Sequence, residues 1–248
     1  MSLFSEILEK LNYFKPKPNY DKIALNYIKG TMRKPSRGIS MRFLNRNDPE
    51  YHFKKGEELA SRGRYEGALK EYDTAIRLNP NNPEYHYRKG FVLFLLERFE
   101  DALLEFDIAT RLNPNEPSYH FLKGKTSVIL GRYEEAVEEF DILVRLYPNI
   151  PIFHYYKGNA LVSLGRYEEA LEEFDKAIAL SPNDPGYHFN KTVVLAMLGR
   201  CDEALREFDT GKKLAGQRDR TPVIYDETQD LAQKAFNVIQ TFCAGTRT

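Results

Sequence analysis

All five histidines of the chain recur at one spacing, which raises the question of metal or acid–base chemistry. They are His52, His86, His120, His154 and His188, each 34 residues after the one before. Imidazole is a common zinc ligand and general base, so such a row could hold metal ions or move protons. Zinc ligands must lie about 2 Å from one ion, whereas neighbouring packed helices lie about 8–10 Å apart. We therefore predict structural histidines between helices, and no metal site.

Charged residues repeat in the same frame as the histidines. Each copy carries a lysine three residues after its histidine, and an arginine, a glutamate and an aspartate further on. We predict a ladder of partly exposed ion pairs that links adjacent helices, with the lysine stems covering apolar surface. A charged docking stripe is the alternative. The lysines are Lys55, Lys89, Lys123, Lys157 and Lys191, and the aspartates are Asp73, Asp107, Asp141, Asp175 and Asp209.

The frame itself is a segment of 34 residues that occurs five times without insertion or deletion. Position 1 of the five copies is Pro49, Pro83, Pro117, Pro151 and Pro185. Position 8 is Gly except for Thr192, position 20 is always Ala, position 24 is Tyr or Phe, and position 32 is Pro except for Gly216. A fixed period of this size indicates stacked helix pairs. The small residues would let two helices approach closely, and the position 24 ring would fill the remaining space.

This pattern resembles the tetratricopeptide repeat (TPR), over residues 49–218. The resemblance implies an all-α fold, a right-handed α-solenoid of five helix-turn-helix units over 49–82, 83–116, 117–150, 151–184 and 185–218. We expect helix A at positions 2–14 and helix B at positions 18–31 of each unit. Glycine at position 15 suits a left-handed helix end. Glu97 replaces it in the second copy, at a cost of roughly 1 kcal/mol.

Two extensions flank the repeats. Residues 1–48 carry 10 Lys or Arg and 4 Asp or Glu, a charge of +6 that the rest of the chain balances. This basic extension is predicted to contain one or two amphipathic helices, over 2–14 and 21–29. Residues 219–248 are predicted to form a loop and an amphipathic helix over 226–243, which by the resemblance caps the last repeat. Its expected apolar face is Leu231, Ala235, Phe236, Ile239 and Phe242.

Composition and motifs exclude several classes of function. Hydrophobic residues make up 42% of the chain, yet no apolar run reaches the roughly 18 residues of a transmembrane helix. No phosphate-binding loop, CxxC or HExxH motif occurs, so we expect no enzyme and no cofactor. The basic segment has few aromatic residues and no nucleic-acid motif, which argues against that partner. We interpret Cys201 as a small buried residue, and two cysteines favour a reducing compartment, hence a cytoplasmic location.

By the same resemblance, helix A positions 2, 5, 6, 9, 12 and 13 line a concave groove that binds a protein or peptide partner. Position 5 is aromatic in every copy. We expect an exposed stripe of aromatic and aliphatic side chains, which usually marks a binding surface. The alternative is that these rings only pack against one another. The candidate peptide-binding residues are Phe53, Tyr87, Arg88, Phe91, Phe94, Phe121, Leu122, Lys125, Tyr155, Tyr156, Asn159, Phe189 and Asn190.

One TPR subclass holds the carboxylate end of a chaperone tail with Lys and Asn, and this chain departs from it. Phe53 and Glu57 stand where the first repeat would need Lys and Asn. Asn159 and Asn190 match two clamp positions, but Tyr155 replaces the lysine. We therefore expect a different mode, in which the two asparagines could hydrogen-bond an extended peptide backbone.

The apolar stripe of residues 3–14 suggests a second function, that of a self-assembling or autoinhibited scaffold. This stripe could occupy the groove of its own chain or of a neighbouring chain. Some 35 connecting residues, at about 3.3 Å each, reach further than the width of the domain. A simple N-terminal cap is the plainer interpretation of the same stripe.

Overall fold

The computed structural model describes residues 47–217 and 222–243, in which every regular element is an α-helix. Odd-numbered helices up to α9 are helix A of the five repeats, and even-numbered helices are helix B. The helices are α1 (Pro49–Ser61), α2 (Tyr65–Leu78), α3 (Pro83–Leu95), α4 (Phe99–Leu112), α5 (Pro117–Ile129), α6 (Tyr133–Leu146), α7 (Pro151–Ser163), α8 (Tyr167–Leu180), α9 (Pro185–Met197), α10 (Cys201–Gln217) and α11 (Pro222–Cys243). The predicted helices at 2–14 and 21–29 lie outside the described residues.

Each helix A begins one residue earlier than predicted, because proline opens it. Its fixed backbone angle suits the first turn, where its missing N–H leaves nothing unpaired. The residue before the proline caps most of these helices. Asp48 accepts a hydrogen bond from the Glu50 amide at 2.9 Å, and Asp184 accepts one from Gly186 at the same distance. In α7 the capping position is Ile150, which has no side-chain oxygen to offer.

The turn between helix A and helix B requires a left-handed residue at position 15. Gly131 and its three glycine equivalents have φ between 71° and 73°. Glu97 has φ 59°, so the second repeat keeps the same turn with a residue that has a Cβ. The prediction for Glu97 is therefore confirmed, and the strain lies in one residue of the turn.

Helices A and B approach closely at the predicted small residues. A Cβ added to Gly158 would lie 2.8 Å from Cε1 of Phe174, too close for carbon atoms, and one added to Gly90 would lie 2.8 Å from Phe106. Position 20 is fully buried alanine, as at Ala170. The position 24 ring therefore lies directly over the position 8 glycine, as the sequence predicted.

The fifth repeat reaches the same close approach from the other helix. Thr192 occupies position 8, and its hydroxyl donates to the His188 carbonyl at 2.8 Å. Gly211 on α10 is now the small residue, since a Cβ there would lie 2.7 Å from Phe189. This exchange accounts for two of the departures that set the fifth copy apart in sequence.

Contacts divide the described chain into two compact units, with the boundary between Glu139 and Phe140 inside α6. In the first unit, α1 packs on α2 and α3 on α4, and each helix B also packs on the next helix A. In the second unit, α7 packs on α8 and α9 on α10. None of the described helices is long and apolar enough to span a membrane.

The C-terminal helix α11 begins at Pro222, four residues before the predicted start, and packs against α9 and α10. Leu231, Ala235 and Ile239 are buried as expected. The prediction that Phe236 lies on the buried face is wrong, because 43% of its surface is exposed; its ring centroid lies 6.0 Å from that of Phe208.

A disulfide bond joins Cys201, the first residue of α10, to Cys243, the last residue of α11. Cys201 is buried, as predicted, but its bond to Cys243 was not predicted from the sequence. The sequence did not reveal the bond because 42 residues separate the two sulfurs in the chain. Disulfides persist mainly in oxidising surroundings, so the two cysteines no longer support a reducing compartment. The cytoplasmic location stays a prediction without that support.

Candidate functional site

The aromatic residues at position 5 are buried, so the expected exposed stripe is absent at this position. Tyr87 is 6% exposed, and Phe121 and Phe189 are fully buried. The rings of Phe53, Tyr87 and Tyr155 each pack between position 24 of their own repeat and position 3 of the next. The Tyr87 ring lies 6.1 Å from Phe106 and 4.9 Å from Tyr119, measured between centroids. The same burial holds for Phe53 and Tyr155. These five residues pack within the structure, which was the alternative interpretation.

In the first unit, three predicted site residues on α3 are half-buried and reach the surface, namely Arg88, Phe91 and Phe94. The Phe94 ring meets Phe99 edge-on at 5.5 Å. The Lys125 ammonium lies 5.5 Å from the centroid of Phe94, in cation–π range. Arg88 donates through Nε to Glu84 at 2.7 Å. Phe91 and Phe94 therefore present apolar surface, and the charged groups beside them, Arg88 and Lys125, are already held by other side chains.

Two further predicted residues of the first unit, Leu122 and Lys125 on α5, are buried. Lys125 is only 8% exposed, which is unusual for lysine. Its ammonium lies 6.0 Å from the Phe121 ring as well as near Phe94. These two residues therefore do not contribute open surface on α5.

A cavity of about 530 Å³ opens beside Arg88 and Phe91, between α1, the start of α2 and α3. Its apolar wall is formed by tyrosine, phenylalanine, valine and leucine side chains, and a carboxylate and a guanidinium stand at one end. The lining residues are Glu57, Glu58, Ala60, Ser61, Tyr65, Tyr72, Arg88, Phe91, Val92 and Leu95. This volume is sufficient for a side chain or small ligand.

In the second unit, Tyr156 and Asn159 on α7 are half-buried, whereas Asn190 on α9 is fully buried. The Tyr156 ring stacks on Phe140 at 5.6 Å. Oδ1 of Asn159 is buried and, among the described residues, receives no hydrogen bond. Nδ2 of Asn190 donates to the Gly186 carbonyl of its own helix at 2.6 Å. Asn190 is thus oriented by α9, while the amide oxygen of Asn159 is buried.

The histidines and lysines meet on one glutamate in every repeat. In the second repeat, Nδ1 of His86 lies 2.7 Å from Glu105, and Nζ of Lys89 lies 2.6 Å from the other oxygen of that carboxylate. Lys89 also lies 2.8 Å from Asp73, and Nε2 of His86 lies 3.0 Å from the Pro80 carbonyl. Asp73 and Pro80 belong to the preceding repeat, so these contacts join neighbouring repeats.

The same contacts recur along the array and confirm the predicted ion-pair ladder and the predicted place of the histidines. The lysine pairs are Lys123 with Asp107 and Glu139, Lys157 with Asp141 and Glu173, and Lys191 with Asp175 and Glu207. The arginine at position 16 is outside this ladder. Arg166, for example, pairs with Glu169 in the first turn of α8, at 2.6 Å on the surface.

Burial and hydrogen bonding have opposite effects on the pKa values of the ladder residues Glu173 and His188. Burial would raise the pKa of Glu173, but hydrogen bonds from His154, Lys176 and Lys157 outweigh it and lower that pKa to about 2. At His188, burial favours the neutral ring. Hydrogen bonds to the Glu207 carboxylate and the Pro182 carbonyl nevertheless raise its pKa above the ordinary value. Both ring nitrogens of His188 face acceptors, which only an imidazolium can satisfy.

Two family models match the chain, one described as TPR repeat over residues 56–97 and one as tetratricopeptide repeat over residues 121–185. The chain is a tetratricopeptide repeat protein. The resemblance predicted from the repeated glycine, alanine, aromatic and proline positions is therefore confirmed. No curated protein sequence matches the chain.

Solved tetratricopeptide structures share the fold. The 41-end form of MamA from Desulfovibrio magneticus RS-1 is 23% identical, with a TM-score of 0.65 over 71% of this chain and 98% of that chain. YrrB, described as a TPR protein with an unusual peptide-binding site, is 22% identical, with a TM-score of 0.64 over 75% and 94% of the two chains. A further MamA structure is 17% identical, with a TM-score of 0.66 over 70% and 95%. These likenesses confirm the all-α solenoid class of the tandem helix pairs.

The sequence did not identify Glu57 and Tyr72 as neighbours in a cavity of this tetratricopeptide protein. Glu57 is at position 9 of helix A, where the sequence showed only a departure from the chaperone-tail clamp. The repeat pattern predicts that Tyr72 packs inside its own repeat. Its ring does so, because it lies directly over Gly56. The sequence did contain one signal for this cavity. Glu57 places a carboxylate at position 9 of helix A, where the next three repeats carry Phe91, Lys125 and Asn159.

Proposed function

We propose that this chain is a non-enzymatic interaction module that binds a peptide or a helix of a partner protein on its helix A faces. The tetratricopeptide repeat is typically such a module, and YrrB, which shares this fold, is described as having a peptide-binding site. A binding role accounts for side chains that differ in kind between copies while the ladder and the core stay the same. A cytoplasmic location and the lack of a nucleic-acid partner remain predictions.

The observation that carries this proposal is the open cavity beside Arg88 and Phe91 on the helix A face of the first two repeats. Phe91 and Phe94 offer aromatic area next to it, and such half-exposed rings are frequent anchors in interfaces. In the second unit, the half-buried Tyr156 and Asn159 offer a ring and a polar side chain. The buried rings at position 5 fix the geometry of these residues and do not themselves contact the ligand.

The test is selection from a displayed peptide library with the wild type and with Phe91→Ala/Phe94→Ala. We expect the double variant to lose the peptides that the wild type enriches, because it removes the aromatic area without opening the buried core. Leu104→Ala is the matched control, since Leu104 is 66% exposed on α4, a helix B. Identical peptide profiles for the wild type and the double variant would exclude this face as the binding site.

A second candidate is a self-assembling or autoinhibited scaffold in which residues 1–14 occupy the groove. The observation that favours it is burial of side chains that the pattern assigns to the groove, such as Leu122 and Asn190. Residues 1–14 lie outside the described residues. Deletion of residues 1–14 should then strengthen peptide binding or change the mass of the oligomer. If both stay as in the full chain, this candidate fails.

A further inference from the structure

The cavity between α1 and α3 has a polar end and an apolar wall. Tyr72 and Val92 are buried at its base, and Leu95 stands exposed at its edge. Glu57 on α1 and Arg88 on α3 form the polar end, with Nη2 of Arg88 3.6 Å from the Glu57 carboxylate. That separation is too long for a hydrogen bond. A ligand in this cavity would therefore meet apolar surface along its length and charge at one tip.

Glu57 forms a loose ion pair with Arg88 at 3.6 Å, and 41% of its side chain is exposed at the mouth of the cavity. Arg88 is held by Glu84 at 2.7 Å, so its stronger contact points away from Glu57. Among the described residues, no donor lies within hydrogen-bond distance of Glu57. Burial of Glu57 raises the pKa of its carboxyl group, and Arg88 only partly opposes this shift. A second cation would stabilise the ionised carboxylate more effectively than Arg88 alone does.

The other carboxylate that lines the cavity already has a close partner. Glu58 lies 2.6 Å from Arg62, the residue that follows the end of α1. Glu57, at the mouth of the cavity, is therefore the carboxylate that would bind a cationic ligand.

We propose that this cavity binds a lysine or arginine side chain of the partner, with its alkyl stem along Phe91, Val92 and Leu95 and its charge on Glu57. Long basic side chains combine these two properties, because their methylene groups pack on apolar surface while the charged end stays at the rim. An acidic side chain would face the carboxylates of Glu57 and Glu58, whereas the Arg88 guanidinium is already paired with Glu84 at 2.7 Å, so we expect an acidic side chain to bind more weakly. The proposal deepens the proposed function, on which it rests, by assigning a basic residue to the bound segment.

The experiment is an NMR titration of the full chain with n-butylammonium, which is a lysine side chain without its backbone. We expect saturable shifts of the Phe91, Val92 and Leu95 amide signals with a dissociation constant in the millimolar range. n-Butanol should bind about fivefold or more weakly, since it lacks the charge. Glu57→Gln should weaken n-butylammonium by a similar factor. The matched Glu169→Gln, at an exposed carboxylate of α8 that is paired with Arg166 at 2.6 Å and lies outside the cavity lining, should leave it within about twofold.

Two outcomes would overturn the proposal: equal binding of n-butylammonium and n-butanol, or full n-butylammonium binding by a folded Glu57→Gln variant. Peptide selection separates this inference from the proposed function. If selected peptides depend on Phe91 and Phe94 but are not enriched in lysine or arginine, the proposed function stands and the basic side chain is excluded. If n-butylammonium binds as expected but no peptide is selected, the cavity stands and the peptide-binding function fails.

Discussion

Glu97 is, in the part of the chain that the structure describes, the one non-glycine residue with a positive φ. A Cβ in this region costs roughly 1–2 kcal/mol, partly offset by the greater unfolded-state freedom of glycine. We expect Glu97→Gly to raise the free energy of unfolding by about 0.5–1 kcal/mol, measured by urea denaturation. Gly131→Ala, at the matching turn, should lower it by about 1 kcal/mol. A loss of stability in Glu97→Gly would mean that its side chain compensates for the strain.

Gly158 tests the close approach of helices A and B at the scale of one methyl group. Gly158→Leu would place a side chain where even a Cβ lies 2.8 Å from Phe174, so we expect a loss of about 1–3 kcal/mol in thermal unfolding. Gly158→Leu combined with Phe174→Leu should recover part of that loss, because the smaller side chain frees space. An unchanged melting temperature in the single variant would contradict the assignment.

The residue scale also shows which parts of the site the sequence could predict. The contact of Gly158 with Phe174 lies within one repeat, so the spacing of small and large residues was sufficient to predict it. The burial of Tyr87 depends on Tyr119, which belongs to the next repeat. Because repetition shows only which residues are equivalent, it could not decide whether position 5 faces a ligand or the neighbouring repeat.

At the scale of helices, the ladder joins each helix A to the preceding helix B. Lys123 lies 3.1 Å from Asp107, whose side chain is 39% exposed, so solvent screens that pair. A double-mutant cycle with Lys123→Met and Asp107→Asn should give a coupling of about 0.5–1 kcal/mol in urea denaturation. This coupling should fall in high salt.

The buried end of the same ladder provides the contrast. Glu139 is buried and lies 2.7 Å from Lys123 and 2.6 Å from His120. Glu139→Gln should therefore cost about 2–4 kcal/mol, because it removes the buried negative charge that pairs with the Lys123 ammonium. If Glu139→Gln costs no more than Asp107→Asn, the ladder contributes through exposed charge alone, as a docking stripe would.

The disulfide connects the start of α10 to the end of α11, across 42 residues. Reduction, or Cys201→Ser with Cys243→Ser, should lower the free energy of unfolding by about 2–4 kcal/mol, since the cross-link restricts the unfolded chain. Denaturation with and without reductant measures this difference. The double variant is its own control, because reductant should not change its curve. Coincident curves for the oxidised and reduced wild type would contradict the prediction.

The sequence predicted the positions of the helices well, but it did not predict the disulfide bond between α10 and α11. Proline and glycine signals placed each helix A and helix B to within about one residue, because these signals act locally. The cysteine pair required knowing that α11 ends beside the first turn of α10. That arrangement depends on how α11 packs on α9 and α10, which the spacing of its apolar residues does not specify.

For the whole molecule, the ladder predicts a stability maximum between acid and neutral pH. The pKa of Glu173 is lowered from 4.5 to about 2, so its contribution is complete above pH 4.5 and is lost as pH falls toward 2. The pKa of His188 is raised above 6.5, so its contribution is complete below pH 6.5 and is lost as pH rises through the raised pKa. Urea midpoints across pH measure both limbs of the profile.

Two variants test which residues cause the loss of stability at low pH and above neutral pH. Glu173→Gln should flatten the acid limb, and His188→Asn should flatten the limb above neutrality, because each removes the group that titrates. Highest stability at pH 3, or profiles that both variants leave unchanged, would rule out the ladder as the source of the pH dependence.

The bond between Cys201 and Cys243 also determines how pulling force would travel through the protein. Tension applied to the chain beyond residue 243 would pass through the disulfide directly into the first turn of α10. Helix α11 would bear little of that tension, so it would not peel away from α9 as the first event. In a reducing solution the same tension would act on α11 itself, and a pulling experiment would record an early lengthening that the oxidised protein lacks.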